Sequence, residues 1–441
     1  MAHYRSAGSV PPKRHTQHRA PDGTLYREEL MGEEGFSSDS SLLYHVGVPS
    51  AVLEARPWQL PDLSTVPNEP LLPRHLRLHD LFPSAGAAPS TSSGNEGSAS
   101  AGNEGSASSG NGGSESAGSG RTAGPPPEPV EGRHDVVTGR RLVLGNADVR
   151  ISYAVATRES PLYRNATGDE LVFVEAGAGV LETVFGDLAY GPGDYLVIPR
   201  ATTHRWVPRA ESGPTRAYCI EAAGHIAPPK RYLSRYGQLL EHAPYCERDL
   251  RGPGEPRVHE GGETEVLVKH RGSGPGGLAG SVHVLPRHPF DVVGWDGCLY
   301  PYALSVHDFE PITGRIHQPP PVHQVFEGPR FVVCNFVPRK VDYHPLAIPV
   351  PYYHSNVDSD EIMFYVDGDY EARKGSGIAK GSVTVHPGGH SHGPQPAAIE
   401  ASLGAESFDE LAVMVDTFAP LGLGEGGREV DDGIYHRSWS R

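Results

Sequence analysis

Cysteine is scarce in this 441-residue chain: four occur, Cys219, Cys246, Cys298 and Cys334, with no CxxC spacing. Thiols so few and so scattered exclude a disulfide scaffold and predict a reduced, cytoplasmic setting. Basic residues are in deficit, 38 Lys and Arg against 54 Asp and Glu, for a formal net charge of −16. That balance argues against nonspecific attraction to nucleic acid or to anionic membranes. Long hydrophobic runs are missing: none approaches the ~18 apolar residues of a membrane span. The opening Met1-Ala2-His3-Tyr4-Arg5 lacks the apolar core of a signal peptide. Long helices are also not expected, because the 54 glycines and 42 prolines both disfavour helix interiors, which excludes an all-α bundle.

One stretch is emptier still. From Pro83 to Pro129 there is no Val, Ile, Leu, Met, Phe, Trp, Tyr or Cys, and Gly94–Ser100 recurs as Gly102–Ser108. Such a segment cannot offset its ordering entropy by burial, so it is expected as a disordered Gly/Ser-rich insertion. It lies between an N-terminal extension, 1–82, and a run of short apolar segments separated by Gly-rich turns.

These segments have the length and composition of strands. Arg141–Leu144, Val149–Val155, Glu170–Glu175, Val180–Phe185 and Tyr195–Ile198 form one set. Ser281–Val284, Phe331–Val337, Glu361–Val366, Ser382–His386 and Glu410–Val415 form another. Even spacing of short strands reads as an antiparallel sandwich or barrel, and the two sets predict two β-domains. Between the sets, Tyr232, Leu233, Tyr236, Leu239 and Leu240 fall on one helical face and predict a helical connector. The expected domains are a first barrel at 130–227, the connector at 228–280, and a second barrel at 281–441.

Histidine is plentiful, 23 in all, with ten between His283 and His392. One segment runs His354-Ser355-Asn356, four residues, Glu361, six residues, Gly368; a second runs Gly381, five residues, Pro387-Gly388-Gly389-His390-Ser391-His392. This is the two-part cupin pattern, with Asn356 where a second histidine is common. In a small barrel such pieces bring His354, Glu361 and His392 to one point. Two imidazoles and a carboxylate with open positions suit non-haem Fe(II). Taken singly, each of the three reads as a surface or turn residue; what favours a metal centre is their joint fit to both spacings. Upstream, Tyr163-Arg164-Asn165, Glu170, Gly177, Gly193, Pro199 and His204 echo the pattern without the histidines of its first part. The first barrel is therefore expected to be metal-free.

Longer blocks carry a more specific resemblance: Asp291-Val292-Val293-Gly294-Trp295, Pro351-Tyr352-Tyr353-His354, Glu361-Ile362-Met363, and His386 through His392-Gly393-Pro394. With these the chain resembles the homogentisate 1,2-dioxygenase family, bicupins of tyrosine and phenylalanine catabolism. The resemblance implies a mostly β bicupin fold and an Fe(II) centre of His354, Glu361 and His392. It also implies a small aromatic acid and dioxygen as substrates, and a trimeric or hexameric homo-oligomer. It gives Tyr370, His386, Arg373 and Tyr353 as substrate contacts. Arg373 stands where the animal enzymes carry a lysine. Asp296 stands where the best-studied members carry an acid/base histidine, so proton transfer falls to Asp296, or to His317 or His323 in the segment Arg315–His323. Both histidines can equally be surface residues of a Pro-rich loop. The reading is ring cleavage of homogentisate to maleylacetoacetate. The rivals are cleavage of gentisate or another hydroquinone or catechol acid, and a metal-binding cupin without oxidative activity.

Overall fold

Period-two alternation organises the molecule. In the computed structural model, which describes residues 3–83 and 135–440, the strand Asp360–Gly368 sends Ile362, Phe364 and Val366 to one side and Met363 and Tyr365 to the other. The strand Glu170–Ala176 does the same: Leu171 and Phe173 face one way, Val172 and Val174 the other. The first set from each strand meets in a core shared by two barrels, where Tyr218 stacks on Phe364 with ring centroids 4.6 Å apart. The second set lines each barrel's own interior. One residue earlier on that inner face sit Glu170 and Glu361, both buried.

The first barrel is closed by two sheets. One has eight strands, in the order Tyr302–Ser305, Asp194–Ile198, Glu170–Ala176, Thr215–Ala222, Val149–Ala156, Arg141–Gly145, Gly422–Leu423 and Val66–Pro67. The other has seven: Gly186–Tyr190, Gly179–Thr183, His204–Pro208, Tyr163–Asn165, Thr264–Arg271, Leu278–Leu285 and Glu54–Trp58. The second barrel has one six-stranded wall: Gln324–Gly328, Phe331–Phe336, Glu410–Thr417, Asp360–Gly368, Ser382–His386 and Arg74–Arg77. Opposite that wall runs irregular chain rich in proline (Pro345, Pro349, Pro351), which removes ladder donors and prevents a second large sheet. A four-stranded sheet, Arg5–Gly8, Val292–Gly297, Ser40–His45 and Arg27–Gly32, and a two-stranded pair, Arg339–Lys340 with Ser407–Phe408, complete the sheets of the described residues.

Both barrels use one device to hold the glutamate strand. Asp169 accepts from the Arg200 and Ile226 backbone N–H groups at 2.8 and 2.9 Å. Asp360 accepts from Gly388 and Leu421, each at 2.8 Å. Each aspartate thus clamps the start of its strand to the turn that leads toward the second-part histidine.

The strands fall close to the expected segments, and the architecture is the expected mostly β bicupin. Two expectations need correction. The helix over 232–240 is absent: a single 3-10 turn, Lys230–Tyr232, is followed by a bridge between Leu233 and Leu239. Gly237 has φ 85°, which turns the chain back and cannot continue a helix. The segment Ser281–Val284 belongs to the first barrel's seven-stranded sheet rather than to the second barrel. The expected insertion at 83–129 lies, apart from Pro83, outside the described residues. Among the described residues no helix is long and apolar enough to cross a membrane.

Candidate metal centre and its cavity

The second barrel's interior ends in a cluster of imidazoles around Glu361. His354 and His392 exchange backbone hydrogen bonds, N–H to C=O, both at 2.8 Å. This pins two loop residues side by side, with their rings 4.3 Å apart. His354 Nε2 lies 3.3 Å from Glu361 Oε2, and His392 Nε2 lies 3.3 Å from Glu361 Oε1. His392 Nδ1 meets the His390 carbonyl at 3.0 Å, so its proton sits there and the Nε2 lone pair is free. That Nε2 is buried and has no partner in hydrogen-bond geometry.

A metal fits these residues. Two donors ~2.1 Å from one ion and at right angles stand ~3 Å apart, and both nitrogen–oxygen separations come near that. Burial opposes the Glu361 charge, but the surrounding imidazoles of His354, His386 and His392 outweigh it and hold the carboxyl well below its usual range. A permanent carboxylate with two imidazoles is a donor set for a first-row divalent ion.

His386 is part of this cluster but does not line the cavity. It is fully buried, with Nδ1 2.9 Å from Glu361 Oε1 and Nε2 3.2 Å from the Tyr435 hydroxyl. The carboxylate can only accept, so His386 donates from Nδ1 and accepts from Tyr435. Burial, against the pull of Glu361, pushes its pKa down to about 3, so it stays neutral and braces Glu361 from behind. Asp416, cross-strand neighbour of Glu361, is half-buried; desolvation and then the Glu361 charge push it up to about 8.

In front of the triad lies a cavity of about 250 Å³ lined by His354, Glu361, His317, Tyr352, Arg339 and Arg373, among others. Arg373 is buried; its Nε donates to the Tyr365 hydroxyl at 3.0 Å and its Nη1 to the Gly393 carbonyl. Both partners are neutral, so the guanidinium charge remains available to an anion in the cavity.

The other expected site residues divide. His317 lines the cavity, with Nδ1 3.2 Å from Asp342 Oδ2 and Nε2 3.1 Å from the Tyr352 hydroxyl. His323 also lines it but stacks on Phe336 at 4.6 Å; burial, then the nearby charges of Arg339 and His317, push it down to about 3. A proton on His323 is therefore not held near neutral pH.

Asp296 is elsewhere. Its strand joins the four-stranded N-terminal sheet, and its carboxylate accepts from the Tyr4 hydroxyl at 2.6 Å and from Arg14 Nε at 3.1 Å. It does not line this cavity. Tyr370 packs edge-on against Tyr365, 4.9 Å between centroids, with Tyr365 rather than Tyr370 facing the cavity. Tyr353 lies against Gly393, outside the cavity, and its neighbour Tyr352 takes the inward place. Neither Asp342 nor Arg339 has a local signal in the sequence. Asp342 carries no motif, and Arg339 acquires its place only through the two-stranded pairing of Arg339–Lys340 with Ser407–Phe408.

A second trio, Glu33, Asp169 and His225, has a structural account. Asp169 is the backbone clamp of the first barrel, and hydrogen bonding to Asp169 and Glu33 holds His225 up at about 10, as an ion pair. A larger cavity of about 460 Å³, around Glu29, His45 and Arg164, lies away from the triad.

Family profiles described as homogentisate 1,2-dioxygenase N-terminal and C-terminal match residues 124–306 and 327–440. A protein of Saccharolobus solfataricus, named provisionally as a dioxygenase with no substrate given, is 37% identical over 100% of this chain and 99% of its own. Homogentisate 1,2-dioxygenase of Emericella nidulans is 27% identical over 69% of this chain and 71% of its own. Among solved structures, a cupin 2 conserved barrel domain protein from Leptotrichia buccalis has 10% identity and a TM-score of 0.28 over 64% of this chain and 88% of its own, a fit too loose to bear on function. On the two profiles and the full-length relative, the chain belongs to the homogentisate 1,2-dioxygenase family.

Proposed function

We propose that the chain is an Fe(II)-dependent ring-cleaving dioxygenase that opens homogentisate to maleylacetoacetate, in tyrosine and phenylalanine catabolism. The observation that carries this reading is the clustering of His354, Glu361 and His392, with His354 and Glu361 at the wall of a cavity that also presents Arg373. A phenolic acid has two handles, a ring hydroxyl and a carboxylate, and these two features match them one to one. Iron, once bound by the three ligands, supplies Lewis acidity toward the phenolic oxygen and a place for dioxygen.

The chain's own residues do the rest. Arg373 takes the carboxylate in a charge-assisted pair and so sets which ring carbon faces the triad. Met363, Phe336 and Met414 give the cavity apolar lining for the ring. His386 and Tyr435 hold Glu361 in one orientation through the turnover. The same reading carries a homotrimeric or hexameric assembly.

The test is anaerobic loading with Fe(II), then oxygen uptake and product absorbance with homogentisate beside gentisate. Oxygen consumption with maleylacetoacetate formation supports the reading. Uptake with gentisate alone, or with neither acid, sinks homogentisate as the substrate; the name of the full-length relative, which gives no substrate, keeps the second acid in the comparison.

A further inference from the structure

Tyr163-Arg164-Asn165 is the first barrel's counterpart of His354-Ser355-Asn356. Tyr163 and Asn165 turn inward to Glu170, so alternation along the strand sends Arg164 outward. There it enters the cavity of about 460 Å³ around Glu29 and His45. Arg164 is half-buried, and its Nε donates to the Thr203 hydroxyl at 2.8 Å. Among the described residues its Nη groups have no hydrogen-bond acceptor and no carboxylate forms an ion pair with it. Thr203 is buried, and its own hydroxyl proton has no acceptor among the described residues either. Burial pushes the arginine down from its ordinary pKa, and only the charge of Glu29 opposes that.

The other charges of this cavity balance in pairs. His45 lies between Glu29 and Asp291, at 2.9 and 2.7 Å, with Arg287 3.8 Å from Asp291. His225 Nδ1 lies 3.0 Å from Glu33. Arg200 and Glu34 are both exposed and opposite in sign. His288 is neutral, pushed down to about 4 by burial and then by His259. Arg164 is the cation left over, partly out of water and without a counter-ion, a costly state that a bound anion relieves. The carboxylates in the same wall repel a second negative charge, so the vacancy suits a monoanion. The remaining lining is largely apolar, and Leu30, Phe36 and Val48 expose apolar surface there. Beside them the backbone is strained: Glu34 and Phe36 hold φ 47° and 68°, which non-glycine residues adopt at a cost, often at ligand clamps.

We propose that this cavity is a second ligand site, for an organic monocarboxylate with an apolar body. Its carboxylate pairs with the Arg164 guanidinium and accepts from the Thr203 hydroxyl, and its body lies against Leu30, Phe36 and Val48. No residue of this cavity lines the one beside the triad, so the two sites fill independently.

The test is a calorimetric titration of the full chain with naphthylacetate, with its neutral amide as control. Arg164→Gln is expected to weaken binding of the acid ~10-fold or more, as a lost hydrogen bond to a charged group does, and to leave the amide unchanged. Arg373→Gln, in the other cavity, is expected to leave the acid bound here. Val48→Trp fills the cavity from an exposed position and is expected to abolish binding with the thermal midpoint unchanged, which decides the matter if Arg164→Gln does not fold. Inorganic phosphate is expected not to displace the acid at equal concentration; if it does, the site takes a bare oxyanion and the organic ligand is overturned. Absence of saturable binding, equal affinity for acid and amide, or binding untouched by both Arg164→Gln and Val48→Trp overturns the site.

Discussion

The two barrels answer one electrostatic problem in two ways. Each buries a glutamate at the start of the strand that faces its interior, Glu170 in the first and Glu361 in the second. Around Glu170 the chain supplies its own cations: Arg140 Nη2 at 2.7 Å, with Lys269 bound to neighbouring Glu221. Tyr163 and Asn165 donate to the same carboxylate at 3.2 and 2.8 Å. Tyr163 and His204 pair across strands just as His354 and His392 bridge in the second barrel. Position for position, Tyr163 stands for His354, Asn165 for Asn356 and His204 for His392. One barrel therefore carries a tethered guanidinium where the other offers donors to a free ion. A carboxylate with a built-in cation is a strut; the same carboxylate with imidazoles about it is free to serve as a ligand.

That contrast can be broken most severely at the glutamates. Glu361→Gln is expected to remove bound metal and reduce oxygen uptake to background, read by metal analysis and an oxygen electrode. Glu170→Gln is expected to leave metal content intact and lower stability by ~3 kcal/mol, because it weakens a buried ion pair and leaves Arg140 short of charge; a denaturation curve reads it. Metal loss in Glu170→Gln would end the assignment of the first barrel as metal-free.

A milder test compares the two buried arginines. Arg140 is neutralised by Glu170 and Glu221, whereas both hydrogen-bond partners named for Arg373 are neutral. Arg373→Gln is expected to raise KM for a carboxylate substrate ~10-fold or more, as a lost hydrogen bond to a charged group does. The methyl ester of that substrate serves as control, since it loses little when the arginine goes. Equal loss for acid and ester would remove Arg373 as the anchor.

Acid separates the barrels by order of events. Metal ligands must be deprotonated, so acidification releases the ion from the second barrel. Burial disfavours the Glu170 charge, but Arg140 and Lys269 outweigh it and lower its pKa strongly. Its stabilisation is whole above the ordinary carboxylate pKa and is lost only as pH falls through the depressed folded value. Metal release is thus expected first, and unfolding of the first barrel at lower pH, followed by metal analysis and tyrosine fluorescence. The smallest effect belongs to the N-terminal sheet. His45 is buried, which opposes its charge, yet hydrogen bonds to Asp291 and Glu29 hold its pKa up at about 9, against an ordinary 6.5. Its contribution is whole below ~6.5 and fades as pH rises through 9. A modest fall in thermal midpoint over that interval, flattened in His45→Gln, is the expected outcome.

What could be read from sequence follows from how local each feature is. The triad was legible because His354 and Glu361 flank one strand start and His392 lies on the turn from the paired strand, so short spacing fixes relative position. The strands themselves were legible from alternation and Gly-rich turns. The family resemblance pointed to Tyr353, whereas Tyr352 faces the cavity and Tyr353 does not, a register decided by the loop that carries His354. Asp296 was misplaced because its strand pairs with Arg5–Gly8 and Ser40–His45, segments about 250 residues away or more. The Asp342–His317–Tyr352 contact joins three loop positions with no period to announce them. The apolar spacing over 232–240 resembled a helix because a tight turn at Gly237 brings the same side chains together.

The strand pairing also bears on how the chain is made. The first barrel's eight-stranded sheet is finished by Gly422–Leu423, which pairs with Arg141–Gly145 and Val66–Pro67. The second barrel's wall is finished by Arg74–Arg77, which pairs with Ser382–His386. On a ribosome, the strand at 74–77 emerges early and waits for some three hundred residues before its partner appears, and the first barrel stays unsealed until residue 423 is out. Assembly of both barrels is therefore a late, nearly simultaneous event, with exposed edges in the interval. Cutting the gene between the barrels would give two halves, each lacking a strand that only the other can lend.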